Sequence, residues 1–353
     1  MTEKTWRLLL SVLFVASCVF AYPRPPRGTE NIPALMAEST LVCKGEVVQA
    51  PPPIVSPPSK PVTRMTAVAK VRADRCFKGR PPGALIPVFF DGLLPAAGGP
   101  AFVLNTGDYR LFFLKPREGR YAVSDEWFGA LPISRQLGSA PDSADSMYLL
   151  ELDLKAGLAD SDSERVLDSI RMLGNMKHLH SESELQALLN SRDLLVKAHV
   201  WLALLRLKNY SVLSAVAQFF ASQPAPPHEL LMPSGQLFAI QFDLQDEVAN
   251  IRDPSTLPYL ESFATDGRDP ALRGSALQAL RAIGSPHSAT TFLKVLEDPN
   301  SDNSFSAMQG LLSLAGGGSI EWVPTWEQFR SDPQFYAAKC REWWNLQGKQ
   351  KPL

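Results

Sequence analysis

Three short stretches set metal-ligating side chains close together, and each departs from the spacing that its chemistry needs. His228-Glu229-Leu-Leu-Met232 begins like the helix of a zinc hydrolase, in which two histidines one turn apart hold the metal and the glutamate acts as base. Met232 stands where the second ligand belongs, and flanking prolines place the stretch in a loop. His178-Leu-His180-Ser-Glu182-Ser-Glu184 gathers imidazoles and carboxylates, but at a junction between helices, where Ser181 or Ser183 is expected to cap the next helix. Asp298-Pro-Asn300-Ser-Asp302-Asn303 imitates the start of a calcium loop. Its sixth position is Asn303 rather than Gly and its twelfth is Gln309 rather than Glu, so it reads as a polar turn. There is no phosphate-binding Gly loop, no Gly-x-Ser-x-Gly elbow and no Cys-x-x-Cys pair. The expectation is a protein without catalytic residues, metal or cofactor. An enzymatic alternative would place Arg110, Lys115 and Asp125 in a site at a domain junction.

The cysteines carry more information. Lys4 and Arg7 precede an apolar run over 8–15, and Val15-Ala-Ser-Cys18 follows directly. This resembles the bacterial lipobox, which implies that Cys18 is acylated and becomes the new N-terminus. The other reading is ordinary cleavage after Ala21, with Val19 and Ala21 as the small residues of the site. Either way 1–21 is a signal peptide and the expected location is the periplasm or outer cell envelope, with a membrane anchor if Cys18 is lipidated. Three cysteines then remain, Cys43, Cys76 and Cys340, which allow at most one intramolecular disulfide. Cys43 and Cys76 are the candidates, but strict strand alternation faces them to opposite sides, so the bond needs a bulge. Cys340 reads as a small buried core residue.

Composition narrows the classes further. The chain has 353 residues with 45% hydrophobic content, enough for two globular domains. Its net charge of −1 hides an asymmetry: 22–140 has 15 Lys+Arg against 9 Asp+Glu, a net +6, whereas 141–353 has 18 against 26, a net −8. Neither half carries the dense basic runs with interleaved aromatics of a nucleic-acid binder, so none is expected as partner.

After a Pro/Arg-rich tether and a short helix (22–38), five short segments alternate or are rich in Val and Phe: 39–49, 65–74, 85–91, 108–114 and 121–125. Five strands in about a hundred residues predict a small antiparallel β-barrel over 39–134, with a Pro-rich insertion at 51–61 in its first loop. A polar linker spans 135–145. Beyond it the chain repeats itself. Ser255-Thr-Leu-Pro-Tyr-Leu260 returns as Ser288-Ala-Thr-Thr-Phe-Leu293, and Ala276-Leu-Gln-Ala-Leu280 as Ala307-Met-Gln-Gly-Leu311. Val196, Val200, Leu204 and Leu207 match Leu272, Ala276, Leu280 and Ile283, while Val166, Ile170 and Leu173 fall on the same rows. Asp269 before Pro270 marks a helix start, and Gly284 and Gly316 mark ends. An all-α array over 146–317 follows, closed by a C-terminal helix and tail (318–353) whose Trp343 and Trp344 pack on the last edge or form an aromatic binding patch.

Two resemblances attach to these stretches. The segments around Leu41-Val-Cys-Lys-Gly45, Lys78-Gly79 and Gly107-Asp-Tyr-Arg-Leu-Phe-Phe-Leu114 resemble the N-terminal domains of exported bacterial proteins, themselves similar to the oligonucleotide/oligosaccharide-binding (OB) barrel of the tissue inhibitors of metalloproteinases. That family's inhibition depends on a free N-terminal cysteine, which an acylated Cys18 or a Tyr22 start cannot supply. The pattern of 272–284 resembles the HEAT repeats, which implies stacked antiparallel helix pairs and protein–protein contact. The combined expectation is an α+β chain in which a small OB-like barrel precedes a HEAT-like α-solenoid, acting as a non-enzymatic envelope scaffold for a protein partner. The alternative is glycan, peptide or small-ligand binding by the barrel.

Overall fold

The computed structural model describes residues 30–51, 66–91, 103–139, 144–177, 179–222, 236–316 and 322–346. Cys18, the tether before residue 30, most of the Pro-rich insertion, His178 and the His228 stretch lie outside these residues. The chain divides into two compact units at Ser181/Glu182. The linker expected at 135–145 lies within the first unit.

The first unit is built on strands β1 (Leu41–Gln49), β2 (Thr66–Lys78), β3 (Ile86–Asp91), β4 (Tyr109–Arg117) and β5 (Arg120–Val123). Their order β1-β2-β3-β5-β4, with β4 pairing back to β1, closes a five-stranded barrel. The expected all-antiparallel barrel is corrected at one seam, because β3 and β5 run parallel. A closed ring of five strands cannot alternate direction throughout, so one pair has to run the same way. β6 (Ala130–Pro132), too short to stand out in the sequence, pairs with Arg110–Phe112 of β4 on the edge opposite β1. A tight hairpin joins β4 to β5. Glu118 and Gly119 alone form the turn, both with positive φ, and the strands continue to Arg117 and Arg120.

Inside the barrel, Leu41, Cys43, Val47, Ala69, Val71, Ile86, Val88, Phe112 and Leu114 form the core. Outside it, Val42, Leu111 and Phe113 have the opposite parity and are also fully buried. A second apolar layer therefore exists. Helix α1 (Ile32–Glu38), capped by Asn31 and burying Ile32, Leu35 and Met36, packs on β4. Helix α2 (Ser146–Gly157), capped by Asp145, packs on β2 and on α3 (Ser163–Asn175). Each fully buried side chain of this layer contributes about 1.5–3 kcal/mol of transfer free energy.

The second unit comprises α4 (Glu182–Ala187), α5 (Leu194–Arg206), α6 (Leu213–Ser222), α7 (Gln236–Ala249), α8 (Leu257–Asp266), α9 (Pro270–Ile283), α10 (Ala289–Val295), α11 (Ser301–Leu314), α12 (Trp326–Ser331) and α13 (Pro333–Leu346). Helices α5, α7, α9, α11 and α13 each pack on the next, while α8 touches both α6 and α10. Most of the repeated rows are buried: Val200 and Leu204 of α5, Ala276 and Leu280 of α9, and Ala307 and Leu311 of α11 are fully buried, whereas Ile283 and Val166 are half-buried. Capping follows the same phase. Asp193, Asp269 and Asn300 accept hydrogen bonds from the first turns of α5, α9 and α11, and Gly284 takes the left-handed conformation at the end of α9.

Candidate functional site

The densest polar chemistry lies where α2 meets the outer wall of the barrel, within the first unit. Lys44 projects outward from β1, yet its side chain is 0% exposed. Its ammonium donates to the carbonyls of Ser134 and Gln136 and faces Asp153 Oδ2 at 2.8 Å. That last contact is ionic, because the approach lies off a hydrogen-bonding direction. Asp153, also 0% exposed, uses its other oxygen to accept from Arg75 and from the Gly138 backbone N–H at 2.8 Å. Arg75 donates in turn to the Gly138 carbonyl at 2.9 Å. Burial lowers the Lys44 pKa, and the Asp153 carboxylate opposes that shift.

The cluster exists because β2 is irregular. Val42 pairs with Lys78 but Cys43 with Cys76, and Lys44 pairs with Arg75 but Gly45 with Ala73, so Phe77 and Asp74 are each an extra residue on β2. The bulge at Asp74 reverses the parity after Ala73. It turns Cys76 inward to face Cys43 and turns Arg75 outward beside Lys44. Cys43 and Cys76 are joined by a disulfide, with Cα atoms 3.9 Å apart. Strict alternation, which set the two thiols on opposite faces, is overturned by this one residue.

Further charges surround the cluster. Glu46 pairs with Arg72 at 2.6 Å and with Arg135 at 3.5 Å, and the Arg135 guanidinium lies 4.3 Å from the centre of the Tyr109 ring. Burial and the nearby Asp74 carboxylate push the Tyr109 phenol well above its ordinary range. On α3, Asp168 pairs with Arg165 at 3.2 Å and Arg171 at 3.0 Å, and Arg171 also pairs with Glu30. Burial raises the Asp168 carboxyl to about 7, against the pull of Arg165.

This arrangement holds elements together. The Lys44 ammonium donates to two carbonyls and faces a carboxylate, and its complete burial keeps it from any substrate. The sequence offered one signal for it: Asp153 interrupts the buried stripe Leu150, Leu154, Gly157 of α2.

The three residues of the enzymatic alternative do not converge. Arg110 pairs with Asp108 at 3.0 Å, the Lys115 ammonium donates to the Ser124 carbonyl at 3.1 Å, and Asp125 accepts from the Trp127 and Phe128 N–H groups at 2.7 Å. Arg110 and Lys115 stand about 17 Å apart along β4 with opposite parity. The chain matches no protein-family model, and no curated protein matches it.

The remaining metal-like stretches have local work. Asp298 pairs with Arg273 at 2.9 Å and accepts from the Asn300 N–H, while Asn300 caps α11. His180 is exposed and 4.0 Å from Glu151, which accepts from Ser181 at 2.7 Å. Among the described residues no group of three His, Cys, Asp or Glu side chains could hold a metal ion.

At the C-terminus the buried face of α13 is Ala337, Cys340 and Trp344, so the two tryptophans separate in role. Trp344 packs inward. Trp343 is half-buried, with its ring 5.9 Å from Trp322. Cys340 is buried as expected, and burial pushes its thiol up to about 12.

Proposed function

We propose that the chain is an exported envelope protein, anchored by acylated Cys18, that recognises a protein partner through a HEAT-like solenoid. The observation that carries this reading is the packing of α5, α7, α9, α11 and α13 in succession, with α6, α8 and α10 as a second row and the repeated residues on the buried rows. Stacked pairs of this kind build an extended surface by repetition, and such surfaces serve binding. The five-stranded closure supports the OB-like reading of the barrel. Export is supported by the Cys43–Cys76 disulfide, a bond that persists in oxidising compartments and is rare in the cytosol. The net charge of −8 over 141–353 favours a partner with basic character.

Crosslinking in the native envelope, with wild type compared against Cys18→Ala, tests anchoring and partnership together. A reproducible partner lost or reduced in the Cys18→Ala strain is the expected outcome. No partner, together with substrate turnover by the purified protein, would sink the reading.

A further inference from the structure

One face of the barrel carries four cations that pair with no carboxylate among the described residues. Lys70 of β2, Phe89 of β3, Arg120 of β5 and Lys115 and Arg117 of β4 all occupy outward register positions, alternating with the core residues Ala69, Val88 and Leu114. The four cations are exposed, and among the described residues none of them pairs with a carboxylate. Both guanidiniums lie over the half-buried Phe89 ring, Arg117 at 5.8 Å and Arg120 at 5.2 Å from its centre. That contact fixes two long side chains that would otherwise sweep a large volume, so charge stays concentrated without loss of hydration on the outer side. It also covers the ring, which therefore cannot stack on a base or a sugar. What the face presents is fixed positive charge on a convex wall, suited to an array of anionic groups.

We propose that this face docks the barrel on an anionic phospholipid surface. Complementary charge selects the partner's sign, and the covered ring removes the stacking on which single-stranded nucleic acid binding depends. Proximity selects the bilayer, and here the inference rests on the reading of Cys18 as acylated. About fourteen residues separate Cys18 from the start of α1, a contour of at most about 49 Å, so an anchored barrel stays within reach of the headgroups. The face would then set the barrel's orientation on the membrane.

The test uses the unacylated mature chain, leader removed, so that its result does not depend on the anchor. Sedimentation with vesicles of 70% phosphatidylcholine and 30% phosphatidylglycerol is compared with pure phosphatidylcholine. Binding to the anionic vesicles alone is expected, weakening as salt is raised. Arg117→Gln/Arg120→Gln should reduce partitioning about tenfold or more, and Phe89→Leu should reduce it less, by loosening the guanidiniums. Both variants should keep the wild-type melting temperature, and Arg281→Gln/Arg330→Gln in the second unit serves as an equal change in net charge. The proposal is overturned if anionic and neutral vesicles bind alike or not at all, or if the two double variants lose equal affinity. Retention on an immobilised anionic polysaccharide without vesicle binding would also overturn it, in favour of a different polyanion. If vesicle binding holds while Cys18 proves unacylated in cells, the face stands and the anchored reading falls.

Discussion

Replacing Asp153 with alanine would leave Lys44 and Arg75 facing each other with no anion between them, one of them wholly buried. Breaking a buried pair from one side costs about 3–5 kcal/mol, far more than the pair itself contributes. Urea unfolding of Asp153→Ala should therefore show a loss of that size in the first unit, whereas Lys44→Met with Asp153→Leu should lose less than half as much. A loss under about 1 kcal/mol for Asp153→Ala would mean that water reaches the site. Asp168 gives a pH signature of definite sign. Its carboxyl titrates near 7 in the folded chain and near 3.8 when unfolded, so between these values the native state holds a proton that the unfolded chain has released. Stability contributed by this group then falls as pH rises from about 4 to about 7. Asp168→Asn should flatten that fall in melting temperature, and an unchanged slope would show that Arg165 and Arg171 keep the carboxylate ionised. Neither Lys44 nor Asp168 was legible in the sequence. The partners of Lys44 are about ninety residues or more away along the chain, and no local pattern encodes such a pairing.

Elements were legible where the period of their side chains is regular, and illegible where it breaks. Regular alternation marked β2 only as far as Asp74, the extra residue that breaks the period. The strand runs on to Lys78, with Arg75 and Cys76 turned to unexpected faces that decide both the ion cluster and the disulfide. Gly45 sits beside that bulge. A Cβ there would stand 2.2 Å from the Arg72 carbonyl oxygen and 2.8 Å from Ala73 Cα, both backbone atoms that cannot swing away. Gly45→Ala should cost at least the roughly 1–3 kcal/mol typical of overpacking, read as a lower melting temperature of the barrel. In the helical unit the signals were local and therefore readable. Asp269 accepts from the Ala271 and Leu272 N–H groups, as its position before Pro270 suggested. Asp269→Ala should cost about 1 kcal/mol, and Asp269→Asn much less, since the amide oxygen still caps.

At the scale of the molecule, composition located the change from strand to helix near 140 but not the boundary between compact units, which falls at Ser181/Glu182. The difference has a physical cause. Helices α2 and α3 carry the same periodic stripe as the later pairs, so the sequence groups them with the array. In the structure α2 packs on β2, where its Asp153 balances Lys44, and α3 packs on α2 and pairs through Arg171 with Glu30. A fragment ending at 140 would lose α2 and the carboxylate that balances Lys44, and would place the wall of β2 that α2 covers in water. A fragment ending at Ser181 keeps both. Expressed from residue 22, the longer fragment should give a cooperative melt, dispersed amide resonances and resistance to protease, while the shorter one should aggregate or melt at least about 10 °C lower. This comparison also bears on how the barrel's role can be separated from that of the array, because a chain cut at 140 would lose any barrel-borne binding through unfolding alone. Equal stability of the two fragments would return the boundary to the linker and make α2 and α3 an ordinary first pair of the array.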